Sequence, residues 1–121
     1  MTNIVRNGAQ SRNDGFQSIA ILTFEWMPKP NLIIIHGYAE TGYIFKHLIE
    51  PLSQKYKVWI PELPGFGITK APVAHSMEAY SKWLAEFMEG NDIEKAHVAG
   101  HSLGGYIAAR FAVLYPLQID K

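Results

Sequence analysis

The sequence predicts an α/β fold, a mostly parallel sheet with helices on both faces. Three observations predict it. Short apolar runs alternate with segments of helical periodicity along the chain. One of these runs, "NLIIIHG" at 31–37, is apolar at every position from Leu32 to Ile35, the mark of a strand buried on both sides. The runs at 31–37, 56–63 and 95–99 each lead into a glycine-bearing loop: "HGYAETG", "PELPGFG" and "GHSLGG". In an open parallel sheet such loops gather at the carboxyl edge, where ligands bind.

Residues 1–16 are rich in Asn, Gly, Ser and Asp and read as a loose N-terminal segment, and 17–121 as a single, partial core domain. "SIAILTFEW" (18–26) reads as a strand closed by "MPKP". After the strand at 31–37, a helix is expected over 43–55. Its stripe is Ile44, Phe45, Leu48, Ile49 and Leu52, and Pro51 should kink or restart it. "YKVWIPEL" (56–63) is the next strand. Ser76 then stands at the N-cap of an amphipathic helix. Met77, Tyr80, Leu84, Phe87 and Met88 recur along it at helical spacing, and Gly90 stops it. "KAHVA" (95–99) is a short strand. "LGGYIAARFAVLY" (103–115) carries one charge, Arg110, so it reads as a nearly all-buried helix, stopped by Pro116.

Composition excludes several classes. Eleven basic and eleven acidic residues balance, which argues against a nucleic-acid surface or a polybasic membrane patch. With no cysteine there is no disulfide, thiolate nucleophile or Cys-based metal site, and the composition fits a reducing compartment. The polar N-terminus lacks the apolar core of a signal peptide, and no apolar run approaches the ~20 residues of a membrane helix. A soluble, cytoplasmic protein is expected.

"GHSLGG" (100–105) carries the chemistry. Gly100-x-Ser102-x-Gly104, between a short apolar strand and an apolar helix, fits a strand–turn–helix nucleophile elbow. A serine at so sharp a turn needs a strained backbone, and bulkier neighbours two residues away on either side would collide. The helix from Leu103 directs its N-terminal N–H groups at the serine, and Gly105 is expected to let that helix approach the sheet closely. The plainer alternative is a glycine-rich turn with an N-capping serine. Upstream, His36 and Gly37 open the loop after the buried strand. The backbone N–H groups of Tyr38 and Leu103 are the candidates for an oxyanion hole, with His36 as a hydrogen-bonded residue that shapes the loop.

The ordered set "IIIHGYAETGYIF", "VWIPELPGFG" and "VAGHSLGGYIAARFAVLYP" resembles the α/β-hydrolase superfamily over about residues 18 to 121. The branch it most resembles holds esterases, C–C bond hydrolases, iminopeptidases, epoxide hydrolases and dehalogenases. Two departures stand out. Glu62 replaces the usual Asp at a mostly structural position. Ser102 stands where epoxide hydrolases and haloalkane dehalogenases carry Asp, which disfavours those two chemistries.

A serine hydroxyl needs a base to take its proton and a third group to orient that base. The resemblance implies the order serine, acid, histidine, with the last two on later strands, whereas only 16 residues follow Gly105. All five histidines, His36, His47, His75, His97 and His101, are expected in structural or surface roles. His75, in the loop after "PGFG", is the one with freedom to reach the site. The resemblance also implies an eight-stranded sheet, truncated here after the elbow helix. The 95–99 strand would then form an open apolar edge, and the last helix would lack part of its cover. A complementing C-terminal segment or self-association through that edge is therefore expected.

The leading reading is a serine hydrolase acting on a small ester or related acyl substrate, inactive as 121 residues alone. Tyr38, Tyr43 and Phe66 are its candidate pocket aromatics, and no metal or organic cofactor is implied. The alternative is a non-catalytic ligand-binding or interaction module on the same scaffold.

Overall fold

The structure, a computed structural model, describes residues 28–65 and 75–121. The expected strand at 18–26, the loose segment 1–16 and Phe66 lie outside these residues. Three parallel strands, β1 (Asn31–Ile35), β2 (Lys57–Trp59) and β3 (His97–Gly100), form a sheet in the order β2-β1-β3. The apolar run of β1 has its reason here, because β1 is central and alternate side chains enter different cores. Ile33 and Ile35 pack with Tyr80, Leu84, Phe87, Met88, Ile107 and Phe111 on one face. Ile34 packs with Phe45, Val58 and Ile60 on the other.

The expected helix at 43–55 is a 3₁₀ turn, Gly42–Phe45, followed by α1 (Lys46–Ser53). Thr41 caps the turn, its Oγ1 accepting from the Tyr43 N–H at 3.3 Å. Pro51 lies inside α1 and does not restart it. β2 is shorter than the expected 56–63, since Pro61 has no N–H to give to a ladder. Residues 60–64 nevertheless stay buried as they leave the sheet. α2 (Met77–Gly90) begins where expected, with Ser76 Oγ accepting from the Ala79 N–H at 3.1 Å. Its stop differs in detail. Gly90 is the last helical residue, but the left-handed backbone that turns the chain away belongs to Asp92, φ 56°.

α3 (Leu103–Leu114) buries Gly104, Ile107 and Phe111 against the sheet and α2. An Arg110–Glu78 ion pair of 2.8 Å ties it to α2. The expectation of a nearly all-buried helix is corrected: Tyr106 is 73% exposed and Val113 67%, because the described elements pack on one face of α3 only. The open edge expected along 95–99 is also corrected. After a 3₁₀ turn at Pro116–Gln118, the chain runs parallel to β3. The Ala96 N–H donates to Gln118 O, the Asp120 N–H to Ala96 O and the Val98 N–H to Lys121 O, at 2.8–3.0 Å. The first half of that edge is thus occupied, while Ala99 and Gly100 remain exposed. No described helix is long and apolar enough to cross a membrane.

Candidate active site

Two turns meet at the carboxyl edge of the sheet, one after β1 and one after β3. Ser102 sits between β3 and α3 with φ 56° and ψ −119°, a backbone region that costs a non-glycine residue about 1–3 kcal/mol. The residue is exposed, its side chain makes no capping bond, and among the described residues its Oγ has no hydrogen-bond partner. Ser76 shows what a capping serine looks like in the same molecule. It has extended backbone, φ −125° and ψ 154°, and its Oγ lies on the N–H three residues ahead.

The glycines around Ser102 are demanded by backbone. A Cβ on Gly100 would overlap the carbonyl of Gly104 across the turn. A Cβ on Gly104 would overlap the Ile35 carbonyl and lie 2.7 Å from His36 O. Gly104, not Gly105, is therefore the residue that seats α3 on the end of β1. At Gly105 the nearest atom to a Cβ would be Gly100 O at 3.4 Å, an ordinary contact. The elbow is further held by the His101 N–H, which donates to Ile35 O at 3.0 Å.

The turn after β1 leans on the elbow. A Cβ on Gly37 would lie 3.0 Å from Ser102 Cβ and 3.2 Å from His101 O. His36 is fully buried. Its Nε2 accepts from the Leu63 N–H at 3.0 Å, and its Nδ1 faces Gly37 O at 2.9 Å. Only the neutral tautomer with hydrogen on Nδ1 satisfies both partners, so the ring joins the β1 turn to the segment after β2. Tyr38 and Leu103, whose amides are expected to act together, thus stand on two turns in contact. Leu103 is the first residue of α3, and none of the described hydrogen bonds uses its N–H. The Tyr38 and Tyr43 side chains are 73% and 60% exposed, on the surface beside these turns.

None of the five histidines is hydrogen-bonded to Ser102 among the described residues. His47 is exposed on α1. His97 packs edge-on against Tyr56 at 5.6 Å. His75 Nδ1 is engaged with the Tyr80 hydroxyl at 2.7 Å. Burial pushes the Tyr80 phenol above its ordinary 10.0, and Tyr38 adds to the rise. His101 Nδ1 lies 3.2 Å from Glu40 Oε1, and the same oxygen accepts from the Gly37 N–H at 2.8 Å. Sequence reasoning missed Glu40; its one local signal was a carboxylate three residues after Gly37.

A parallel sheet with a strained, exposed serine at the head of a helix on its carboxyl edge defines an α/β protein built around a strand–turn–helix elbow. Residues 30–121 match the model of the alpha/beta hydrolase fold family, and the chain belongs to that family. Its relatives include esterases. The pimeloyl-[acyl-carrier protein] methyl ester esterase of Aeromonas hydrophila is 34% identical over 92 residues, which cover 76% of this chain and 35% of that protein. Among solved structures, a bacterial membrane phospholipase A matches with TM-score 0.71 and 31% identity over 75% of this chain and 30% of its own. A marine microorganism esterase matches with TM-score 0.74 and 26% identity, over 77% of this chain and 36% of its own. The chain thus spans about a third of the length of these relatives.

Proposed function

We propose that Ser102 is the nucleophile of an acyl hydrolase whose substrate is a small carboxylic ester. The observation that carries this reading is its backbone, held at φ 56° and ψ −119° while the side chain caps nothing. A merely capping serine gains a hydrogen bond from its position, as Ser76 does; Ser102 occupies a costly conformation and gains none. What the conformation supplies is an accessible hydroxyl at the head of α3, where helix amides face any negative charge that develops. The esterase relatives support the same substrate class.

In the proposed reaction, Ser102 Oγ attacks the ester carbonyl carbon as a base removes its proton. The carbonyl oxygen becomes an oxyanion held by the Tyr38 and Leu103 amides. Collapse expels the alcohol, which takes up that proton, and leaves an acyl-serine that water then cleaves to the acid. Gly100, Gly104 and Gly37 give the turns room, and His36 fixes the β1 turn. On this reading the base and its orienting acid are supplied from outside these 121 residues, by a complementing C-terminal segment laid beside residues 118–121 or by a partner chain. A cytoplasmic setting is part of the proposal.

One observation favours a second reading, a ligand-binding module that keeps the elbow as scaffold: no histidine is hydrogen-bonded to Ser102 among the described residues. A fluorophosphonate probe separates the two. In the natural full-length assembly it is expected to label Ser102 and to lose labelling in Ser102→Ala, while the isolated 121 residues show little or no turnover. An assembly that binds ester-sized ligands but takes no label is a binding module.

A further inference from the structure

One carboxylate reaches both turns of the site. Glu40 closes the turn after β1, its N–H donating to Gly37 O at 3.3 Å. Its side chain folds back so that Oε1 accepts from the Gly37 N–H and faces His101 Nδ1. A carboxylate oxygen only accepts, so the hydrogen of that second contact belongs to the imidazole. Both turns hold non-glycine residues in left-handed backbone, Ala39 at φ 57° in one and Ser102 at φ 56° in the other. Such conformations persist where their surroundings over-determine them, and the Glu40 side chain is bonded to both turns.

We propose that Glu40 is a positioning residue. Its carboxylate latches the 36–40 turn to the 101–102 turn and so fixes the Tyr38 amide relative to Ser102. It acts through Gly37 and His101 and touches no reacting atom. The two donors also offset its charge, which matters because a bare carboxylate beside the site would oppose a developing oxyanion. The consequence for catalysis rests on the nucleophile reading of Ser102; the latch itself belongs to the fold and is measurable apart from it.

The test is amide hydrogen exchange by NMR on the 121-residue chain. Glu40→Gln keeps an acceptor oxygen for both donors, and Glu40→Ala removes it. The Gly37 amide is expected to exchange about tenfold faster in Glu40→Ala and within about threefold of wild type in Glu40→Gln. The Ser102 and Leu103 amide resonances should move in the first variant and return in the second, with Ile33 and Ile35 unchanged in both. Wild-type exchange at Gly37 in Glu40→Ala overturns the latch. If Glu40→Ala does not fold, Glu40→Asp, one methylene short, gives the same reading at Gly37 with the same overturning result. In the full-length assembly, Glu40→Ala should slow fluorophosphonate labelling of Ser102 about tenfold, with Glu40→Gln restoring it. Equal labelling of wild type and Glu40→Ala overturns the positioning role and leaves the nucleophile reading standing. If wild type takes no label, the nucleophile reading fails while the NMR still decides the latch.

Discussion

Replacing Gly104 by alanine adds one methyl group at the point where α3 meets β1. That methyl would overlap the Ile35 carbonyl and lie 2.7 Å from His36 O. Both obstacles are backbone of the central strand, which cannot swing aside as a side-chain tip would. To reach ordinary contact α3 must withdraw by roughly an ångström. The withdrawal strains the His101 N–H bond to Ile35 O, worth about 1 kcal/mol. Overpacking of this kind costs about 1–3 kcal/mol. Alanine's better helix propensity returns about 1 kcal/mol. The expected net loss is about 2 kcal/mol, a fall in Tm of roughly 5–10 °C for a chain this size. Gly105→Ala is the control, since its methyl meets nothing closer than 3.4 Å, and it should be neutral or mildly stabilising. Thermal and urea unfolding followed by circular dichroism read both variants. A Gly104→Ala protein as stable as Gly105→Ala would refute the seating of α3 on β1, and with it the geometry assigned to Ser102.

Two further perturbations test other parts of the molecule. Ser102→Gly relieves the left-handed strain and Ser102→Ala keeps it, so the glycine variant should be the more stable of the two by about 1 kcal/mol in urea unfolding; equal stability would remove the strain from the account. Tyr80 is held neutral by burial, so its folded-state pKa lies above the unfolded 10.0. Its contribution is then fully present below pH 10 and is lost as pH rises through the folded value. Wild type should lose stability across that alkaline window more steeply than Tyr80→Phe, and parallel pH profiles would contradict the assignment.

What the sequence disclosed follows the range of the physics involved. β1 was legible because a strand buried on both faces leaves an unbroken apolar run, and α2 because Ser76 and five apolar residues at helical spacing are local signals. Helices on both faces followed from the alternation. The turn glycines were legible as a set, but not which of Gly104 and Gly105 touches β1. That depends on the rotation of α3 about its axis, fixed by Ile107 and Phe111 entering the core. The pairing of 118–121 with β3 was hidden by a short segment that has no strand pattern of its own. Glu40 was hidden more thoroughly, since its partner His101 lies 61 residues away in sequence.

The two N-cap serines show where the functional signal lies. Ser76 and Ser102 are the same residue type at the same station of a helix, yet one caps and the other does not. Nothing in the serine makes that difference. Ser76 has ordinary neighbours and takes the extended backbone that brings its oxygen onto the Ala79 N–H. Ser102 has glycine two residues away on each side, and those glycines allow β3, the turn and α3 to close until Gly100 meets Gly104. Closure so tight holds the residue at the tip at φ 56° and ψ −119°, out of extended backbone, and its hydroxyl caps none of the helix amides. The glycines, placed against β1 and its turn, are what convert a capping serine into an exposed one.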